Sequence, residues 1–233
     1  MALVFDIETV GEEWNELDKT TQENLAWYIE QSSRDEDEYE YELKQVKEGL
    51  GLSPLTGFIV AIGAYDSEKK QGAVYFQAPG ASLEETEDDG IKYKPMGEKA
   101  MLEQFWEVAR HVHEFVSFNG RGFDAPFLAI RSMVHGVKPT KDLMSNRYLS
   151  MQRGCAHVDL MDQLSFYGAA RFKKSLHLFT RALGIESPKA GGTKGDDVSA
   201  LYEAGEYERI ARYNAGDLFA TTALYERWKK TLQ

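Results

Sequence analysis

The stretch "LVFDIET", residues 3 to 9, constrains the fold more than any other part of the chain. Leu3, Val4, Phe5 and Ile7 at this density read as a strand buried on both faces. Asp6 and Glu8 interrupt that apolar run, and a carboxylate taken out of water costs several kcal/mol unless something pairs with it. Side chains two apart in a strand share one face, so both carboxylates project the same way, about 6–7 Å apart at ~3.3 Å rise per residue. The strand therefore calls for a shared positive partner on one side of a sheet.

The rest of the chain alternates strand and helix patterns, an α/β class. Further strands are expected at residues 57–65 and 72–78, joined as a hairpin around "DSEKKQG", and at "EFVSFN" and "AHVDLM". Helical spacing covers residues 98–112 and 124–135, the run "KSLHLFTRALG" stopped by Gly184, and a final helix over 207–232. Residues 11–54, rich in Glu, Gln, Tyr and Lys, read as a solvated helical insertion between the first two strands. "KAGGTKGDD" from Lys189 reads as a flexible loop. No repeat or internal boundary divides the 233 residues, so one domain over 1–233 is expected.

With 42% hydrophobic and 12% aromatic residues the chain is expected to be globular. Cys155 is the one cysteine, which excludes an internal disulfide and suits a reducing compartment. No basic segment precedes the first strand, and the longest apolar stretch, "FIVAIGAY", is too short for a bilayer. The expectation is a cytoplasmic protein with no membrane partner. A net charge of −11 opposes a polyanionic partner at first sight. The acid is concentrated in "SSRDEDEYEYE" and "LEETEDDG", however, while Arg153, Arg171, Lys173, Lys174, Lys189 and Lys194 gather in the second half.

Two further segments match the chemistry of Asp6 and Glu8. "SFNGRGFDAPFL" puts Asp124 at the end of a strand and the start of a helix, where taken alone it reads as an N-cap. "ARYNAGDLFATTALYERW" puts Tyr213 and Asp217 four apart on a helix face that also carries Ile210, Thr221 and Leu224, the buried face. Gly216, inside that helix, reads as a point of close backbone approach, which brings Asp217 toward the first strand. Convergent carboxylates repel, and divalent cations relieve the repulsion. Oxygen ligands select Mg²⁺ or Mn²⁺, and no Cys/His set has zinc spacing. A pair of such ions suits in-line phosphodiester hydrolysis.

"FDIET", "NGRGFD" and "YNAGD", in this order, resemble the three motifs of the DEDD superfamily of 3′→5′ exonucleases, in its DEDDy branch. The resemblance is nearest to the exonuclease domain of family-B DNA polymerases, without any polymerase. It implies a ribonuclease H-like fold, a mixed five-stranded sheet flanked by helices whose first three strands are antiparallel. It also implies that Asp6, Glu8 and Asp217 hold one metal, that Asp6 bridges to a second, and that Asp124 supports the second through water. Tyr213 then orients the attacking water, since a phenol with pKa near 10 is a poor general base at neutral pH. Asn119, Phe123 and Thr9 are the expected substrate-binding residues, and the expected partner is a single-stranded nucleic acid with a free 3′ end.

Other groups are expected to be structural. Asp162 reads as a helix cap or surface group, and Asp159 as a strand residue near the site. His111, His113, His135, His157 and His177 lack metal spacing and read as surface or satisfied core groups. Arg171, Lys173 and Lys174 read as a solvated cluster. The rival readings are a non-catalytic ribonuclease H-like binding module and an RNA-trimming enzyme of the same chemistry.

Overall fold

A computed structural model describes residues 2–171, 175–186 and 195–233. Along the chain run β1 (Ala2–Gly11), α1 (Lys19–Ser32), α2 (Glu36–Glu48), β2 (Gly57–Asp66) and β3 (Gln71–Phe76). They are followed by β4 (Thr86–Asp88), β5 (Ile91–Pro95), α3 (Glu98–Arg110), β6 (Glu114–Ser117) and α4 (Asp124–Val134). The last elements are β7 (Ala156–Asp159), α5 (Leu160–Leu164), α6 (Leu176–Leu183), α7 (Val198–Glu203) and α8 (Tyr207–Thr231).

Among the described residues the strands form one mixed seven-stranded sheet, ordered β4-β5-β3-β2-β1-β6-β7. The first three strands are antiparallel, as expected, and β6 and β7 add in parallel on the far side of β1. The expected count of five misses β4 and β5, which extend the sheet beyond β3. β4 is three exposed residues and β5, "IKYKP", alternates only Ile91 and Tyr93 with lysine, too short a run to stand out as a strand by itself. Parallel pairing with β3 is what makes β5 a strand.

β1 is an interior strand, between β2 and β6, and is covered on both sides. Leu3, Phe5 and Ile7 pack with Phe105 of α3, Phe115 of β6 and Leu128 of α4. Val4 and Val10 pack on the opposite face with Ile210, Leu218 and Leu224 of α8. Asp6 and Glu8 share the parity of Val4, so the sheet aims both at α8. A bulge between Glu8 and Thr9 shifts the pairing from Ala61 to Ile59 and re-aims the end of the strand.

The insertion is helical, as expected. Asp18 and Asp35 cap α1 and α2 by accepting from the Thr21 and Glu38 N–H groups, and the pair closes over Ala26, Ile29 and Leu43. On the α3–α4 side, Glu98 binds Arg131 at 2.7 and 2.8 Å and His135 at 2.7 Å. Its Oε1 also accepts from the Ile59 N–H, so the buried charge has partners on both oxygens. No helix among the described residues is long and apolar enough to cross a membrane.

Candidate active site

α8 lies across β1 and β2 because one position in the sheet has no side chain. Gly63 of β2 pairs directly with Asp6. A Cβ there would overlap Asn214 Oδ1 and lie 2.7 Å from Leu218 Cδ1. Gly63 on the sheet is thus a glycine that permits this close approach of the helix. With α8 settled on that gap, one carboxylate oxygen from each of Asp6, Glu8 and Asp217 lies within 4.8 Å of the others.

Asn214, fully buried on α8, joins this group without having been singled out by sequence. Its Nδ2 donates to Asp6 Oδ2 at 2.8 Å and, more weakly, to Glu8 Oε1 at 3.5 Å. Its Oδ1 is buried with no partner among the described residues. The signal was available inside "YNAGD", where an amide three residues before the acid sits on the same helical face.

Burial raises the Asp6 carboxyl well above the usual range, and the charges of Asp124, Glu8 and Asp217 raise it further. Glu8 is likewise raised well above its ordinary value, first by burial and then by Asp217, with the Asn214 amide opposing. One amide donor does not neutralise three carboxylates, so the donor set fits hard divalent ions. Burial and the Asp217 charge also raise the Tyr213 phenol, which hydrogen-bonds Asp217. The phenol therefore keeps its proton.

Asp124 reaches the site from the other side of the sheet. β6 pairs with β1 only from Ala2 to Val4, which leaves the Ile7 N–H open on that edge. Asp124 Oδ1 accepts from it at 3.0 Å. Phe123 is the N-cap of α4 and makes no side-chain cap bond, so Asp124 is not the helix cap that its position suggested. Burial pushes Asp124 up to about 7, with the Ile7 N–H opposing. It lies outside the trio of oxygens but is the strongest neighbouring charge on Asp6.

Asp159 organises the loop ahead of Asp124. Its Oδ1 accepts from Asn119 N and Met161 N at 2.9 Å, and its Oδ2 from Arg121 N at 2.9 Å. It also caps α5, one of the two roles expected of Asp162, whereas Asp162 pairs with the exposed Arg147. Asp159→Asn converts one of those acceptors into a donor facing an N–H. Stability should fall by about 1–3 kcal/mol. If Asp159 only positions Asp124, activity should fall roughly tenfold with Mn²⁺ affinity nearly unchanged, as calorimetry and strand digestion would show.

The expected substrate residues are distributed unevenly. Phe123 stacks on Phe127 with centroids 5.4 Å apart and also lines a cleft of about 1030 Å³ beside Glu8. Thr9 lines the same cleft and donates through Oγ1 to Gly51 O at 2.7 Å. Asn119 stands in a left-handed turn at φ 65° and is not among the cleft residues. His157 is a satisfied core group: Nδ1 donates to Leu143 O, Nε2 accepts from Ser117, and burial lowers its pKa to about 4. Arg153 and Arg171 are exposed, whereas Lys173, Lys174, Lys189 and Lys194, with most of the loop from Lys189, lie outside the described residues.

Comparison with known proteins gives the family and the fold. A family described as a predicted 3′-5′ exonuclease related to the exonuclease domain of PolB matches residues 59–232. That stretch includes Asp124, Tyr213 and Asp217 and begins after β1. No curated protein matches the chain. Among solved structures, the family B DNA polymerase of the hyperthermophilic archaeon Pyrobaculum calidifontis superposes with a TM-score of 0.57 at 19% identity. The match covers 98% of this chain and 24% of the polymerase, and it speaks to the fold. With three quarters of its length matched, this chain belongs to the family of predicted 3′-5′ exonucleases related to the PolB exonuclease domain.

Proposed function

We propose that residues 1–233 act as a single cytoplasmic, metal-dependent exonuclease domain. It removes nucleotides from the free 3′ end of a single-stranded nucleic acid and releases nucleoside 5′-monophosphates. The observation that carries this reading is the convergence of Asp6, Glu8 and Asp217 oxygens within 4.8 Å, on elements that begin and end the chain.

The trio, with Glu8 buried and Asp6 and Asp217 half-buried, fits Mg²⁺ or Mn²⁺, because Asp6 and Glu8 are held where their charges otherwise oppose folding. Asp6, Glu8 and Asp217 would hold one ion, and Asp6 and Asp124 would help to hold a second. Bound there, two ions neutralise charge on the attacking and leaving oxygens. Tyr213, protonated, hydrogen-bonds and orients the attacking water and does not act as its base. The water gives a proton to solvent as its oxygen bonds to phosphorus, and the bond from phosphorus to the 3′ oxygen breaks. That oxygen takes a proton and stays with the shortened strand. Phe123 and Thr9 contact the end of the strand, and Asn119 shapes the loop beside it.

Digestion of matched single-stranded DNA and RNA, with 3′ ends free or blocked, tests this with Mg²⁺ and with Mn²⁺. Free ends should shorten to 5′-monophosphates while blocked ends persist. Shortening of RNA alone would assign RNA trimming. No shortening of either strand, together with no Mn²⁺ binding by calorimetry, would leave the binding module instead.

A further inference from the structure

The cleft beside Glu8 continues along the end of β1 to the helical insertion, and its walls are acidic. Among the described residues, Glu8, Glu12, Glu13, Glu48 and Glu203 line it against one cation, Lys47. A phosphate chain gains little from such walls, because each backbone charge would meet carboxylates. Recognition along this path therefore favours groups that bind without charge. Bases offer a π-face to aromatic side chains, and that interaction tolerates any sequence.

Trp14 lines this cleft and has the right support for that task. It is half-buried and packs against the small core of α1 and α2. Its backbone carbonyl accepts from Gln22 Nε2 at 2.7 Å. The segment leading to it is pinned where β1 meets the insertion, since a Cβ on Gly11 would lie 2.8 Å from Gly51 N. The exposed Lys47 holds its ammonium 5.4 Å from the centroid of the indole ring. Lys47 lines the same cleft, so its flexible side chain can exchange the ring for a phosphate there.

We infer that Trp14 is a stacking platform for one of the two nucleobases flanking the scissile phosphate, which gives the acidic insertion a role in substrate binding. The inference rests on the exonuclease reading above. Trp14→Ala should raise KM for a short single strand roughly 5- to 50-fold while kcat changes little. Trp14→Phe should restore most of the affinity. Trp14→Leu keeps an apolar contact with the insertion core and should behave like Trp14→Ala, with a melting curve near that of the wild type.

Strands made abasic at the terminal or at the penultimate position separate stacking from a structural role. On one of the two, wild type and Trp14→Leu should become equal. A difference that survives on both, or an unchanged KM in every variant of an active enzyme, overturns the inference and leaves the exonuclease reading intact. Titrating metal-free protein with the same strand gives a readout free of catalysis. Part of the tryptophan emission should be quenched in the wild type and this part should be missing in Trp14→Phe. Identical quenching in both would also overturn the inference. A wild type that binds with this quenching but never cleaves would instead sink the exonuclease reading alone.

Discussion

Replacing Asp6 with asparagine is expected to lower Mg²⁺-dependent release of nucleotides from a 3′ end by about 10³-fold or more, the scale of losing a metal's charge stabilisation. The same change should stabilise the metal-free protein. The amide keeps the volume and can still accept from Asn214 Nδ2, while it removes one charge from a group crowded by Asp124, Glu8 and Asp217. At pH 8 in chelator the melting temperature should rise by ~3 °C or more, at about 2–4 °C per kcal/mol for a chain of this size. The pH dependence has a definite sign. Asp6 and Glu8 titrate well above their unfolded values and Asp124 near 7, so the folded site keeps protons that the unfolded chain has released. Stability of the metal-free wild type should therefore fall as pH rises from about 4 through 7. Asp6→Asn should flatten that slope. Mn²⁺ at a hundredfold excess over its dissociation constant should add about 2.7 kcal/mol to the wild type and much less to the variant. A variant that digests strands at the wild-type rate, or that melts lower than the wild type in chelator, would remove Asp6 from the metal group.

What sequence made legible was periodic and local. The two-residue period of β1 placed Asp6 and Glu8 on one face, and the four-residue spacing placed Tyr213 and Asp217 on the buried face of α8; both follow from backbone geometry alone. The insertion was readable from its composition, rich in Glu, Gln, Tyr and Lys, and the structure adds that each helix starts at an aspartate cap. The unread features depend on which elements meet. β5 is a strand because β3 is beside it. Asp124 binds the Ile7 N–H because β6 stops short of it, a consequence of strand length that no motif records. Asp159 gathers donors from Asn119, Arg121 and Met161, which are near one another only once β6 and β7 pair. Gly63 looked like any glycine in an apolar strand until its register opposite Asp6 was known.

Gly63 consequently carries the sharpest test of how the site is held together. Gly63→Ala adds one methyl group where Asn214 Oδ1 and Leu218 Cδ1 already stand, so α8 must shift outward or the amide must turn. Overpacking of this kind costs about 1–3 kcal/mol, which should lower the melting temperature by roughly 3–10 °C. The effect on catalysis should be larger, because α8 carries Tyr213 and Asp217 while Asp6 and Glu8 stay on β1. A displacement of about 1 Å between the two halves of the metal group is worth about 10²-fold in rate. A double-mutant cycle with Asn214→Ala separates the causes. If the methyl group acts by striking the amide, adding Asn214→Ala should return part of the lost stability even though the bond to Asp6 is gone. Additive losses would show that Leu218 takes the strain instead. Wild-type stability and activity in Gly63→Ala would mean that α8 does not rest on this gap, and that something other than the missing side chain brings Asp217 to β1.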